Sequence, residues 1–412
     1  MKLVLTADRL IDGTGAAPVR GGALVIEKGR IARVTTKDKL ERDAGPGSEV
    51  IDVPGGTIMP GFIEVHSHMH CSAEEDAFKH VTTESDQVLT MRAVSAMRLA
   101  LGSGVTTMRD LGTKNQIAFP IKKAIQDGVI PGPRLLVAGT PITTTGGHCH
   151  MFGTEADTEE QVVSAVRQQV KLGADYIKMM STGGGFTPRT NVRAAQYPAE
   201  TLRAAVKDAE RLGVRVSAHC HGTVGVRNCV EAGVHNLIHS TWTSANPDEV
   251  YDYDPKVADQ MAEKGLWVDP TLAFDFIWQD KGIPPRPTDR LSLRSDPPRR
   301  YEILRDMWDR GVKFVTGLDT GMAHVEFDDF AYTPQVMVEQ MGIKPMEAIV
   351  CSTKTSAECL GVIGETGTLE KGKAADAIVV NGDPIKNIRV LHDVTTIVAR
   401  GQLVKRDRKL LV

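Results

Sequence analysis

Between residues 58 and 360, short apolar runs alternate with amphipathic ones, and no other feature of the chain constrains the fold as strongly. Eight runs read as strands: 61–65, 105–109, 134–138, 176–180, 215–218, 236–238, 266–268 and 313–316. Helical periods fit between them, for example over 85–103, 159–172, 199–212, 224–232, 255–264 and 297–310. Several of these close on a glycine before the next strand (Gly173, Gly213, Gly233, Gly265, Gly311), as helix C-termini prefer. Strand-helix alternation of this kind demands a parallel sheet with crossover helices, and eight such units predict a (β/α)8 TIM barrel of the α/β class. An open doubly wound sheet is the runner-up, but no GxGxxG follows an early strand.

The two chain ends have a different texture. Residues 1–58 show short β-rich runs and tight turns with no helical period, and strand texture returns over 361–412. Each end is too small to bury an apolar face alone. The expectation is one small β-sandwich built from residues 1–58 and 361–412, flanking a barrel of residues 59–360. Composition agrees with a globular chain, at 41% hydrophobic and 25% charged residues. A net charge of −3 gives no electrostatic case for nucleic acid or an anionic membrane. No apolar run approaches the roughly 20 residues that span a bilayer, and Asp8 comes too early for a signal peptide. Six cysteines without a CxxC pair read as reduced thiols, so a cytoplasmic protein is expected.

Barrel enzymes place their chemistry at the C-terminal ends of the strands. Read in order, those ends carry His66 and His68, then Asp110, His148, Lys178, His219, His239 and Asp319. His66 and His68 stand two apart on one strand and so project to one side, as a shared metal ion requires. Imidazole and carboxylate are good ligands for Zn2+ and similar cations. A lysine ammonium is no ligand, but its amine becomes carboxylate-like once it takes up CO2 as a carbamate.

Taken together these residues resemble the amidohydrolase superfamily over essentially the whole chain. Thr57-Ile58-Met59-Pro60-Gly61-Phe62-Ile63-Glu64-Val65-His66-Ser67-His68 looks like its first-strand motif, and Tyr176-Ile177-Lys178 like its bridging-lysine strand. His219, His239 and Asp319 in Thr316-Gly317-Leu318-Asp319 match the remaining ligands in order. The stretch from Gly367 to Asp376 resembles the C-terminal signature. The likeness is nearest to imidazolonepropionase-like proteins and prolidase-like Xaa-Pro and Xaa-Arg/Lys dipeptidases, in which Met108-Arg109-Asp110-Leu111-Gly112 and Thr143-Thr144-Thr145-Gly146-Gly147-His148 are also typical.

The resemblance implies two divalent metal ions, with Zn2+ expected. His66, His68 and Asp319 would hold one, His219 and His239 the other, and carboxylated Lys178 with a hydroxide would bridge them. Asp319 would shuttle the proton and His148 would stabilise the oxyanion. It implies a small-molecule amide substrate and a homo-oligomer. Two departures stand out. Relatives carry His-x-Tyr on the fifth strand where this chain has His219-Cys220-His221, and an acidic residue before the sixth-strand histidine where it has Ile238. The tyrosine binds the substrate carboxylate, so specificity is open while the metal set is not. His221, with Arg189 and Arg193 in the preceding loop, is the expected carboxylate contact. The expected activity is hydrolysis of a dipeptide or N-acyl amino acid. A mononuclear deaminase, a cyclic-amide, carbamate or lactone hydrolase, and a non-catalytic scaffold are the rivals.

The remaining polar residues divide as follows. Asp110 reads equally as a carboxylate orienting a ligand histidine or as a structural hydrogen-bonding group. His70 and His150 are open between site and solvent. Cys71, Cys149 and Cys220 flank motif residues without being expected ligands. Arg286, Arg290, Arg294, Arg299 and Arg300 read as solvated surface in a Pro-rich stretch, 275–300, long enough to form a lid.

Overall fold

The structure is a computed structural model that describes residues 2–42, 47–284 and 296–412. All eight expected barrel strands form: Phe62–Ser67, Val105–Asp110, Arg134–Val137, Tyr176–Met180, Arg215–Gly222, Asn236–Thr243, Trp267–Asp269 and Lys313–Phe314. The first three pair in parallel as one ladder, and the last five as another that also takes in the short strands Ile142–Thr143 and Thr154–Glu155. Hydrogen bonds close both seams. Between the third and fourth strands Asp175 N donates to Val137 O at 2.8 Å. Between the eighth and first, Val65 N donates to Thr316 O at 3.1 Å and Asp319 N to His66 O at 3.0 Å. The buried Glu64 carboxylate braces that second seam by accepting from His66 N (2.8 Å) and Leu318 N (3.1 Å).

The fifth and sixth strands run past their expected ends, to Gly222 and Thr243. Their apolar character stops near Ala218 and Ile238, but the two backbones stay paired as far as Gly222 opposite Thr243, across an irregularity after Cys220. The extensions are fully buried although they carry histidines, serine and threonines. Two of the long barrel helices start on side-chain caps. Ser85 accepts from Val88 N ahead of Asp86–Ser103, and Thr158 forms a reciprocal capping box ahead of Glu159–Leu172.

The strands of the two chain ends lie in one nine-stranded sheet. Ser48–Pro60 is its hinge element, parallel to Lys2–Leu10 on one side and antiparallel to Ala377–Val380 on the other. It runs through the expected boundary at residue 58 and hands the chain directly to the first barrel strand. Strand alternation gives the C-terminal segment two duties. Ala377 and Val379 join Leu5, Leu24 and Ile26 in the sheet's own core, while Ile378 and Val380 pack with Met97, Leu101 and Val105 of the barrel. Each such aliphatic side chain contributes about 1.5–3 kcal/mol on full burial, so the two ends anchor each other and the barrel together. Among the described residues no helix is long and apolar enough to cross a membrane.

Candidate metal centre

The strand ends gather two clusters of ligand-type atoms. His66 and His68 meet Asp319, whose Oδ1 lies 3.2 Å and 3.4 Å from their Nε2 atoms. His219, His221 and His239 form the second cluster, and within each cluster the ligand atoms lie within 4.8 Å of one another. Lys178, 1% exposed, projects into the same cavity of about 220 Å3. Among the described residues its Nζ has no hydrogen-bond partner. A buried amine without a partner is costly, so this site is built for something besides the polypeptide.

Each ring is held from behind. His66 Nδ1–H donates to Asp269 Oδ2 at 3.1 Å and His68 Nδ1–H to Gly112 O at 3.0 Å. His219 Nε2–H donates to Gly183 O at 3.0 Å, and His239 Nδ1 bonds Thr271 Oγ1 at 2.8 Å. One nitrogen of each ring is thereby spent on the protein, which fixes orientation and tautomer and assigns the other to a cation. Burial pushes His68 down to about 4 and His148 to about 3, and holds His66, His219 and His239 well below the usual imidazole range. Neutral imidazole is the form that binds metal. Burial also lowers Lys178 to about 8, against the opposing pull of Asp319. A neutral amine is the form that reacts with CO2.

Asp269 was not among the residues singled out from the sequence. It ends the seventh strand as His66 and Asp319 end or follow theirs, and that rule would have found it. Burial raises its carboxyl to about 6. The neighbouring Gly317 has to be glycine, because a Cβ there would overlap the Asp269 carboxylate. Gly184 is held to glycine in the same way by the His148 ring.

The backbone around the clusters is strained. His239, Ser240, Thr271 and Asp319 have φ of +69°, +42°, +45° and +63°. These values are unusual for side-chain-bearing residues and most of all for a β-branched threonine. Arg300 secures this corner. Its Nη1 donates to Ser240 O at 2.8 Å, and Nη2 donates to His239 O at 2.5 Å and Pro270 O at 3.2 Å. The expectation of a solvated Arg300 is therefore wrong. It is 7% exposed and borders the cavity, because three strand-end carbonyls need a donor that only a long guanidinium supplies.

The other expected site residues divide sharply. His148 borders the cavity with its ring 4.4 Å from that of His219. His221 stands inside the second cluster, stacked on His239 at 4.4 Å and 16°, with Nδ1 on Thr241 Oγ1 at 2.8 Å. Arg189 and Arg193 do not border the cavity. Arg189 is exposed, and Arg193 donates to the carbonyls of Ser244, Asn246 (3.0 Å) and Glu249 (2.9 Å) in the loop after the sixth strand. The expected arginine fork is replaced by a loop clamp. Asp110 accepts from Met69 N (2.8 Å) and Gly112 N (3.0 Å), so it shapes the turn whose carbonyl holds His68 and touches no ligand ring. His70 is buried edge-on to Phe152 and His150 is exposed. Cys149 borders the cavity, with burial pushing its thiol up to about 12. Of the Pro-rich stretch, 285–295 with Arg286, Arg290 and Arg294 lies outside the described residues, between the helices Phe274–Asp280 and Pro297–Asp309.

Fold and site define a class: barrel enzymes that collect imidazole and carboxylate groups at their strand ends. The chain belongs to the amidohydrolase family, whose pattern matches residues 57–404. It is 28% identical to the ochratoxinase of Aspergillus niger over 98% of this chain and 86% of that protein. A solved Xaa-Pro dipeptidase with methionine in its active site superimposes with a TM-score of 0.86 at 28% identity, covering 98% and 100% of the two chains. A prolidase complexed with N-methylphosphonate-L-proline gives 0.85 at 26%, again over 98% and 100%.

Proposed function

We propose that the protein hydrolyses an amide C–N bond with two divalent cations, Zn2+ by ligand chemistry, and that its substrate is a dipeptide or N-acyl amino acid carrying a carboxylate. The observation that carries this reading is Lys178. Its amine is buried without a partner, and its charge is felt by histidines of both clusters. Reaction with CO2 would form an N–C bond, release a proton and turn this orphan into a two-oxygen ligand. His66, His68 and Asp319 would hold one cation, and His219 and His239 the other.

When bound, the cations would lower the pKa of water and polarise the scissile carbonyl. Asp319 takes a proton from the attacking water and returns it to the leaving nitrogen. The water oxygen adds to the carbonyl carbon, the C–N bond breaks and the amine departs with that proton. His148 donates to the carbonyl oxygen as it gains charge, and its buried Nδ1 has no partner in the protein. The dipeptidase relatives support the substrate class, since a dipeptide ends in a carboxylate beside its one peptide bond. His221 is the proposed carboxylate contact. Its place in the second cluster favours a second role, as a third ligand there.

Metal analysis and a substrate screen test the proposal together. About two Zn2+ per chain, with turnover of dipeptides or N-acyl amino acids, is expected. One metal would favour a mononuclear deaminase or cyclic-amide hydrolase, and none would favour a scaffold.

A further inference from the structure

The cavity has two unlike walls. Beside the ligand-type residues the cavity has an apolar surface drawn from three separate loops, and its Phe152 ring lies 6.4 Å from that of His68. Phe152 follows the third strand, Phe186 follows the fourth, and Phe274 and Trp278 lie on the short helix after the seventh. Phe152 packs with Met180 and Met322 in one buried cluster, with Phe186 and Phe274 against it. The rings are arranged as aromatic pairs prefer. Phe152 and Phe186 meet at 6.5 Å and 63°, and Phe274 and Trp278 at 5.9 Å and 37°. The Trp278 indole N–H is committed to Ala323 O at 3.1 Å, which fixes the ring.

Metal-assisted amide hydrolysis needs none of these rings. A substrate with small groups would leave the partly exposed Phe186 and Phe274 rings against water, while a ring would be received by rigid, pre-ordered partners at little entropic cost. At about 220 Å3 the cavity is smaller than the roughly 300–1,000 Å3 of drug-sized pockets. It has room for an amide and one ring system.

We infer that the substrate carries an aromatic group on one flank of the scissile amide, seated on Phe152, Phe186, Phe274 and Trp278. This rests on the hydrolase reading above and adds the side-chain class to it.

Binding and turnover separate the two claims. The protein as purified is titrated calorimetrically with 3-phenylpropionate and with butyrate, which share a carboxylate and differ in the ring. The phenyl acid binds at least ten times more tightly, and Phe186→Ala and Trp278→Ala each erase most of that ratio while Trp278→Phe keeps it. In turnover, N-acetylphenylalanine exceeds N-acetylalanine in kcat/KM by about 10²-fold. If amides are cleaved but both ratios stay within about threefold, the aromatic seat is wrong and the hydrolase reading survives. If no amide is cleaved yet the phenyl acid retains its wall-dependent advantage, the hydrolase reading fails and the aromatic seat survives.

Discussion

The metal end and the aromatic wall of one cavity are built on different principles. At the metal end nearly every side chain leaves a strand or the residue after one, and four rings are pinned by a second hydrogen bond to Asp269, Gly112, Gly183 or Thr271. The wall is made of side chains from loops and one short helix, packed around Met180 and Met322, with Trp278 also hydrogen-bonded to Ala323 O. Directional hydrogen bonds fix the strand-end rings, and close packing fixes the wall, so both regions are ordered before any ligand arrives. Substitutions at the metal end should therefore change metal content and kcat, and those at the wall should change KM for particular substrates.

The largest effects are expected at Lys178 and Asp319. Lys178→Ala removes the side chain proposed to bridge the clusters, so turnover and metal content should fall together, with partial rescue by short carboxylic acids. Near wild-type activity with about two metals would sink the bridging role. Asp319→Asn keeps the shape and loses the proton acceptor. Its kcat should fall by about 10²–10⁴, and metal occupancy less. A normal kcat with only a raised KM would show that no proton passes through Asp319.

One step smaller is Asp269, which would act on a bound cation through His66. Asp269→Asn should weaken metal binding by about 10–100-fold, as loss of a partner behind a ligand does. Titration of the metal-free protein with Zn2+ measures it, and an unchanged affinity would make the contact merely structural.

These residues also show how far the sequence could be read. Barrel strands and most members of the two clusters were legible because hydrophobic runs mark strands and polar residues at their ends mark the cavity. The rule was not applied to the seventh strand, and Asp269 was passed over. The fifth and sixth strands ran longer than read because pairing, which sequence does not display, carries His219, His221, His239 and Thr241 past the end of the apolar run. Arg300 looked like surface because its neighbourhood is proline-rich and charged. What buries it is a tertiary demand, the carbonyls exposed where His239 and Ser240 turn left-handed. Arg193 was misplaced for the converse reason, since nothing local shows that a loop two strands further along the chain claims its guanidinium, and Arg189 stays exposed. The aromatic wall has no period because loops have none.

Arg300 tests where the boundary between the two regions runs. It sits on a helix beyond the wall yet serves the strand ends. Arg300→Met leaves buried carbonyls without a donor, at about 1–3 kcal/mol for each one that water cannot reach. The melting temperature should fall, and kcat should fall more than KM rises because His239 loses its support. Arg300→Lys should restore part of both. A variant that melts lower yet binds metal and turns over normally would move Arg300 out of the functional region.

The smallest and most discriminating effect concerns His221, which belongs to the ligand-type cluster by position and to carboxylate binding by expectation. Its ring lies flat on His239 and within ligand distance of both neighbours, while Thr241 holds its Nδ1. His221→Phe preserves a flat ring for that stack and removes both nitrogens. As a carboxylate contact, His221 contributes one hydrogen bond to a charged group, worth about 1.5–3 kcal/mol. The substitution should then raise KM for an anionic substrate by about 10–100-fold, leave a neutral amide analogue nearly unchanged and keep both metals. As a third ligand it would instead cost metal at the second cluster and depress turnover of both substrates alike. Metal analysis beside paired kinetics separates these outcomes: equal losses on both substrates with reduced metal assign His221 to the strand-end machinery, and a loss confined to the anion with full metal assigns it to carboxylate binding.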